Sequence, residues 1–279
     1  MHKINTLREL QLVEFSILQD LVEFCKTNDI RLVLNGGTLL GAVRHKGFIP
    51  WDDDIDVAMS RPDYEKLINI NNKQVGPRCI ILDPETDKEF KGYVPLVVYK
   101  NSTLTSMQYR YPEKLFISLS IFVYDGVPKN KIKRFFYFKK MFYLRSCHAL
   151  CRANFKNANT KLAKVFGPIL SIFFKEKSVY KYKNKITNFE KKYSYTKSDI
   201  VAPTYDKDGY KEVTQKSKFE KTTTLVFEGL AVNSFCNYDE YLRMYYGNYL
   251  LPPKEKHRIP KHHFYGEVED SFIFKEDVL

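Results

Sequence analysis

The chain has 279 residues and a net charge of +12, from 45 lysines and arginines against 33 acids, with 44% hydrophobic and 15% aromatic residues. That length buries one generous core or two modest ones. No N-terminal charged-then-apolar signal is present and no apolar stretch reaches membrane-spanning length, while five scattered cysteines, Cys25, Cys79, Cys147, Cys151 and Cys236, suit a reducing compartment. A cytoplasm-facing enzyme is the expectation.

In chain order, residues 5–27 read as an amphipathic helix, with Leu10, Val13, Ile17, Leu21 and Phe24 three and four apart. Residues 30–34 form a short apolar run suited to a buried strand. Asn35, Gly36 and Gly37 follow, and residues 38–45 return to helical spacing. From Asp54 to Met59 polar and apolar residues alternate, which predicts a strand with Asp54 and Asp56 on one face and Ile55, Val57 and Met59 on the other. Ser60 with Asp63 resembles a capping box opening a helix through residue 70. Strand-like runs follow at 79–82, 93–99 and 115–124. Residues 129–195 are helical in pattern, and the chain then returns to short strands and a helix over 238–246. No repeat or low-complexity segment interrupts it.

The chemistry concentrates between residues 34 and 59. Asp52, Asp53, Asp54 and Asp56 crowd four carboxylates into five positions, where mutual repulsion is costly unless a cation or a run of donors offsets it. Taken alone, either the glycine pair or the acid cluster reads more readily as a turn or a solvated loop. In this order, a glycine-rich strand-to-helix turn permits close backbone approach and free N–H groups for a phosphate, beside a carboxylate site for a metal. An EF-hand is excluded, because the loop lacks Gly at its sixth position and Glu at its twelfth.

The run Gly36-Gly37-Thr38-Leu39-Leu40-Gly41-Ala42-Val43-Arg44-His45, then Gly47-Phe48-Ile49-Pro50-Trp51-Asp52-Asp53-Asp54-Ile55-Asp56, closely resembles the signature of the LicD family of phosphotransferases, which includes the fukutin-related proteins. A second block, Tyr238-Asp239-Glu240-Tyr241-Leu242, Tyr246-Gly247-Asn248-Tyr249 and Pro252-Pro253-Lys254-Glu255-Lys256, resembles the family's C-terminal signature, and 219–223 with 227–230 resemble its connecting strands. The resemblance implies an α+β (α/β-like) nucleotidyltransferase fold, a mixed sheet with flanking helices, and a CDP-linked donor. It further implies transfer of a phosphocholine-like group from CDP-choline or a similar donor to a hydroxyl of a cell-surface glycan: teichoic acid, lipopolysaccharide or a capsule precursor. The residues themselves support Mg²⁺-assisted phosphoryl chemistry, with Mn²⁺ as the alternative ion, at Asp54 and Asp56 as metal ligands. Asp52, Asp54 and Asp56 are the catalytic candidates; Gly36, Gly37, Thr38, Arg44, His45 and Arg258 are those for substrate and phosphate.

One position departs from the family pattern. Where members carry an Asp on a further strand, this chain has Ser120, within Leu119-Ser120-Ile121-Phe122-Val123-Tyr124-Asp125-Gly126. A hydroxyl is a weaker Mg²⁺ ligand and a poorer base than a carboxylate. Asp83 or Asp125 as replacement, a single metal, or ligand binding without turnover are the alternatives this leaves open. Two other functions compete: a nucleotidyltransferase acting on a small molecule, and a ligand-binding relative impaired in catalysis.

Charge is unevenly spread. Residues 127–193 hold 18 lysines and arginines against Glu176 and Glu190, a net +16, so the rest of the chain nets −4. Aromatic and apolar clusters at 135–138, 141–144 and 165–174 lie within this basic stretch. Two readings are balanced: an interfacial surface at an anionic inner leaflet, where a lipid-linked glycan acceptor would lie, and a helical subdomain with an ordinary aromatic core. Nucleic acid is not expected, since no recognition motif accompanies the charge. Cys147-His148-Ala149-Leu150-Cys151 raises zinc, but no second ligand pair follows, which favours packed cysteines. The chain thus divides into a catalytic core at 1–128, a basic aromatic-rich helical subdomain at 129–195, and a C-terminal part at 196–279 that completes the substrate site. His257, Arg258, His262 and His263 stand after the Pro-Pro turn, where an Arg suits a diphosphate and a His a proton relay.

Overall fold

The computed structural model describes residues 1–106, 108–111, 113–157, 161–260 and 264–274. His262 and His263 lie outside the described residues. A short strand β1 (His2–Lys3) precedes α1 (Leu7–Thr27). Thr6 caps α1 reciprocally: its hydroxyl accepts from the Glu9 N–H at 3.1 Å, and the Glu9 carboxylate accepts from the Thr6 N–H at 3.2 Å. The apolar stripe Leu10, Val13, Ile17 and Leu21 is buried as its spacing predicts. β2 (Val33–Leu34), α2 (Gly36–Arg44), β3 (Asp56–Ser60) and α3 (Arg61–Asn69) follow, the last capped by Ser60, whose hydroxyl accepts from the Asp63 N–H. Several strands begin two or three residues later than the sequence pattern suggests. In particular Asp54 lies just ahead of β3 rather than within it, although the alternation persists: Ile55, Val57 and Met59 are buried while Asp54 and Asp56 are half-buried.

The sheet is completed by β4 (Gln74–Val75), β5 (Cys79–Leu82), β6 (Leu96–Tyr99) and β8 (Ser118–Gly126), with β7 (Ser102–Ser106) diverted to a separate sheet. β8 is the hub. It runs parallel to β3 and antiparallel to both β6 and β9 (Ile200–Ala202), which in turn pairs with β10 (Thr214–Gln215). Leu119, Ile121 and Val123 face the core, so Ser118, Ser120 and Phe122 face the opposite way.

Between β8 and β9 the chain forms α4 (Lys131–Arg152), α5 (Lys161–Ser171) and α6 (Ser178–Glu190). α4 packs along α6 through a stacked pair, Tyr137 on Phe189 at 4.7 Å. One face of α4 is core: Tyr137, Met141, Leu144, Cys147, His148 and Cys151 are buried, and His148 Nε2 lies 2.8 Å from the Lys91 carbonyl oxygen. Burial pushes the His148 imidazole down to about 4. The opposite face is not core. Ile132, Phe135, Phe136, Phe142 and Tyr143 of α4 and Leu162, Val165, Phe166, Ile169 and Leu170 of α5 are exposed, Phe136 at 65% and the nearby Phe173 at 79%. Among the described residues no helix is long and apolar enough to cross a membrane.

After α7 (Lys216–Phe219), the hairpin of β11 (Thr222–Phe227) and β12 (Leu230–Phe235) turns at Glu228-Gly229, both at positive φ as a tight hairpin turn requires. The Glu228 carboxylate accepts from Arg8 at 2.7 Å and from the Phe48 N–H at 3.0 Å, packing so closely over Gly47 that a side chain there would have to displace it. α8 (Tyr238–Tyr246) then returns the chain to α2, and β13 (Phe264–Val268) closes the second sheet between β1 and β7. The architecture is α+β.

Candidate active site

α2 begins at Gly36 itself, whose φ of +53° a side chain would resist. Both glycines pack directly on the acid cluster. A Cβ at Gly37 would sit 2.5 Å from Asp52 Oδ2, and one at Gly36 would sit 3.2 Å from Asp56 Oδ2. The turn is therefore glycine because carboxylates press against it. Thr38 is buried, and its hydroxyl accepts from the Asp56 N–H at 2.8 Å, while the Asn35 N–H donates to the Asp56 carbonyl at 3.0 Å. α2 and the start of β3 are thereby locked together.

Asp52, Asp53 and Asp54 each present an oxygen within 4.8 Å of the others, the first two being buried. Asp52, Asp53 and Asp54 thus form one close carboxylate group, with Asp56 against Gly36 beside it. Across the sheet Asp56 is in register with Ser120, and both face one cavity of about 1,190 Å³. Gly36, Gly37, Asp53 and Asp54 line the same cavity.

A residue that the motif reading missed completes the cluster. Glu14, on α1, is buried, lines this cavity, and leaves Oε2 without a hydrogen-bond partner among the described residues. Burial first, then the negative charges of Asp54, Asp53, Asp52 and Asp56, hold its carboxyl well above the usual range. Its signal in the sequence was an acid set among the apolar positions of the α1 stripe. An orphaned buried carboxylate facing three clustered ones is a donor set of hard oxygens that a divalent cation fits.

Neither Asp83 nor Asp125 replaces the missing third acid. Asp83 accepts from Tyr64 Oη at 2.5 Å and from Thr86, and lies outside the cavity lining. Asp125 is at the far end of β8, buried against Arg61 at 2.6 Å, and Arg61 also holds Glu190 at 2.7 Å.

Thr38, Arg44, His45 and Arg258 do not line the cavity. The last two meet Trp51 instead, and Arg44 adjoins His45. Arg44 donates to the Tyr249 carbonyl at 2.9 Å, the His45 ring meets Trp51 edge-on at 6.2 Å, and the Arg258 guanidinium lies 5.5 Å over the indole. Burial, then the Arg44 charge, lowers the His45 imidazole, leaving it neutral at pH 7. His257 is exposed in a short turn.

From the C-terminal part come Tyr241, Tyr245 and Tyr246 of α8, with Asp206, Asp208 and Glu212, all lining the cavity. Tyr241 Oη donates to Asn35 Oδ1 at 3.0 Å and accepts from the Gly36 N–H at 3.3 Å. Thus the first N–H of the glycine turn already has a protein partner.

Residues 29–162 match the LicD/FKTN/FKRP nucleotidyltransferase domain. Over 273 residues, 96% of this chain and 98% of the relative, the sequence is 29% identical to the lipopolysaccharide cholinephosphotransferase LicD of Haemophilus influenzae. Shorter likenesses join it to uncharacterised proteins of Rickettsia typhi, 39% identical over 62 residues (22% of this chain, 19% of that protein), and Rickettsia prowazekii, 43% identical over 49 residues (18% of each).

Proposed function

The chain is a member of the LicD family, and from that premise we propose that it transfers phosphocholine from a CDP-linked donor to a hydroxyl of a cell-surface glycan. The observation that carries this reading is the meeting, in one cavity, of the glycine turn, Asp53, Asp54 and Asp56 with Glu14, and the tyrosines of α8, with Asp52 held against Asp53 and Asp54 just outside the lining. The bond formed joins the acceptor oxygen to the choline-bearing phosphorus. The bond broken releases CMP, and the hydroxyl proton leaves to a carboxylate of the cluster.

Asp54 and Asp56 would hold a Mg²⁺ ion, with Asp52, Asp53 and Glu14 completing the anionic surround. When bound, that ion offsets phosphate charge in the transition state. The protein's own part is positional. The glycine turn lets the carboxylates of Asp52 and Asp56 close onto the backbone, and Asp56 is fixed by its main-chain bonds to Thr38 and Asn35. The basic group around Trp51, Arg44 and Arg258 with neutral His45, borders the acid cluster at Asp52 and suits the nucleotide end of the diphosphate.

The acceptor is lipid-linked in this reading, and the exposed outer face of α4 and α5 is the membrane-docking surface at the inner leaflet. An ordinary helical subdomain would have buried those aromatic residues; here they are exposed among lysines and arginines.

Measuring CMP release from CDP-choline, with Mg²⁺ and with or without lipopolysaccharide acceptor, tests the reading. Acceptor-dependent CMP release with choline appearing on the glycan is the expected result. Transfer of the nucleotide to a small molecule, or no turnover of any CDP-linked donor, would replace it.

A further inference from the structure

We propose that Tyr241, Tyr245 and Tyr246 of α8, with Glu212 beneath them, form a binding site for the quaternary ammonium end of the donor. The inference rests on the phosphocholine reading and deepens it by naming the residues that select the headgroup.

Three consecutive rings make the wall. Tyr241 and Tyr245 lie 5.1 Å apart, centroid to centroid, and Tyr245 and Tyr246 lie 5.9 Å apart, inclined to each other at 51° and 39°. All three rings line the one cavity, and clustered aromatic rings supply the negative π-density that attracts a large, weakly hydrated cation. The rings already draw a cation from outside the cavity: Lys211 Nζ sits 5.9 Å from the Tyr245 centroid while paired with Asp208 at 2.8 Å.

Glu212 supplies the charge. It is buried, and its two oxygens accept from Tyr124 Oη and Tyr245 Oη, each at 2.5 Å. Both partners are neutral hydroxyl donors, so they orient the carboxyl without cancelling whatever negative charge it carries. Burial raises its carboxyl to about 7, and a bound cation would favour the ionised form. Asp206, Lys207 and Asp208 line the same cavity, with Asp208 offset by Lys211, so Glu212 is the acid that lies against the rings.

Position completes the argument. Tyr241 Oη bonds both Asn35 and the Gly36 N–H, so the aromatic wall begins where the phosphate turn begins. A ligand with phosphate at that turn and the acid cluster has its two-carbon ammonium arm in reach of the wall. Phosphocholine has that form.

The test titrates the full chain, with Mg²⁺, with phosphocholine, phosphoethanolamine and CMP, alongside turnover of CDP-choline and CDP-ethanolamine. The wild type is expected to prefer the trimethylated ligand by on the order of tenfold. Tyr246→Ala, at a ring 42% exposed and safe for folding, should erase that preference and raise KM for CDP-choline while leaving CMP affinity unchanged. Tyr246→Phe, which keeps the π-face, should retain it. If Tyr246→Ala keeps the wild-type preference, or weakens CMP instead, the site is not an ammonium site, although CDP-choline turnover by the wild type would leave the proposed function standing. If the wild type turns over no CDP-choline and binds no phosphocholine, the proposed function falls and this inference with it.

Discussion

Asp56 and Ser120 stand side by side on the parallel strands β3 and β8, facing the same cavity. A carboxylate and a hydroxyl therefore occupy neighbouring positions where the family resemblance implies two carboxylates, and the buried Glu14 reaches the cavity from α1. Ser120→Asp should tighten Mn²⁺ or Mg²⁺ binding and lower the melting temperature of the metal-free protein, because it adds an anionic oxygen to a cluster that already repels itself. Calorimetric metal titration with melting curves in chelator checks both effects. Unchanged metal affinity would show that Glu14 already fills the role.

Asp54→Asn and Asp56→Asn should each reduce transfer by at least on the order of a hundredfold without loss of melting temperature, since removing one of several clustered negative charges relieves repulsion. The Asp56 main chain keeps its bonds to Thr38 and Asn35 in either variant. CMP-release rates beside thermal melts decide the matter. Wild-type rates in both variants would remove these residues from the chemistry.

Vesicle binding should need anionic lipid and weaken as salt rises, since each cation near such a surface contributes about 1 kcal/mol and is screened beyond about 8 Å at physiological ionic strength. Phe136→Glu and Phe173→Glu, at two strongly exposed rings, should each weaken co-sedimentation while leaving CDP-choline binding in solution intact. Binding that ignores salt, lipid charge and both substitutions would reassign the surface to contact between copies, seen as a concentration-dependent mass in solution.

Arg61 holds two carboxylates, Asp125 and Glu190, in a buried cluster far from the acid site. One guanidinium does not neutralise both, and burial together with Asp125 raises the Glu190 carboxyl to about 8 from an ordinary 4.5. The native chain keeps this proton to higher pH than the unfolded chain does. Its contribution to stability is therefore complete below about 4.5 and lost as pH rises through about 8. The melting temperature should fall by on the order of 5 °C between pH 5 and pH 8, and Glu190→Gln should flatten that fall. An equal slope in the variant would place the proton elsewhere.

Much of this was legible in the chain. The periodicity of α1, the Ser60 cap of α3, the helix over 238–246 and the alternation from Asp54 to Met59 are local properties, set by spacing and by side-chain bonds across a few residues. So was the glycine turn beside an acid cluster, because both lie in one continuous run. What the sequence did not contain was distance between remote segments. Glu14 is a single acid in an apolar stripe, and only the packing of α1 against the sheet brings it to the carboxylates. Arg44, His45 and Arg258 look like donor ligands by residue type, yet none lines the cavity: His45 at the end of α2 and Arg258 from the C-terminal part meet at Trp51 instead. Ser120 was readable as a substitution; that it faces Asp56 depended on the register of two strands more than sixty residues apart. The basic middle left two readings balanced, because composition cannot say which side of a helix meets the core. α4 packs its Tyr137–Cys151 face inward and leaves Phe135, Phe136 and Phe142 outside, a choice made only when α6 docks beside it.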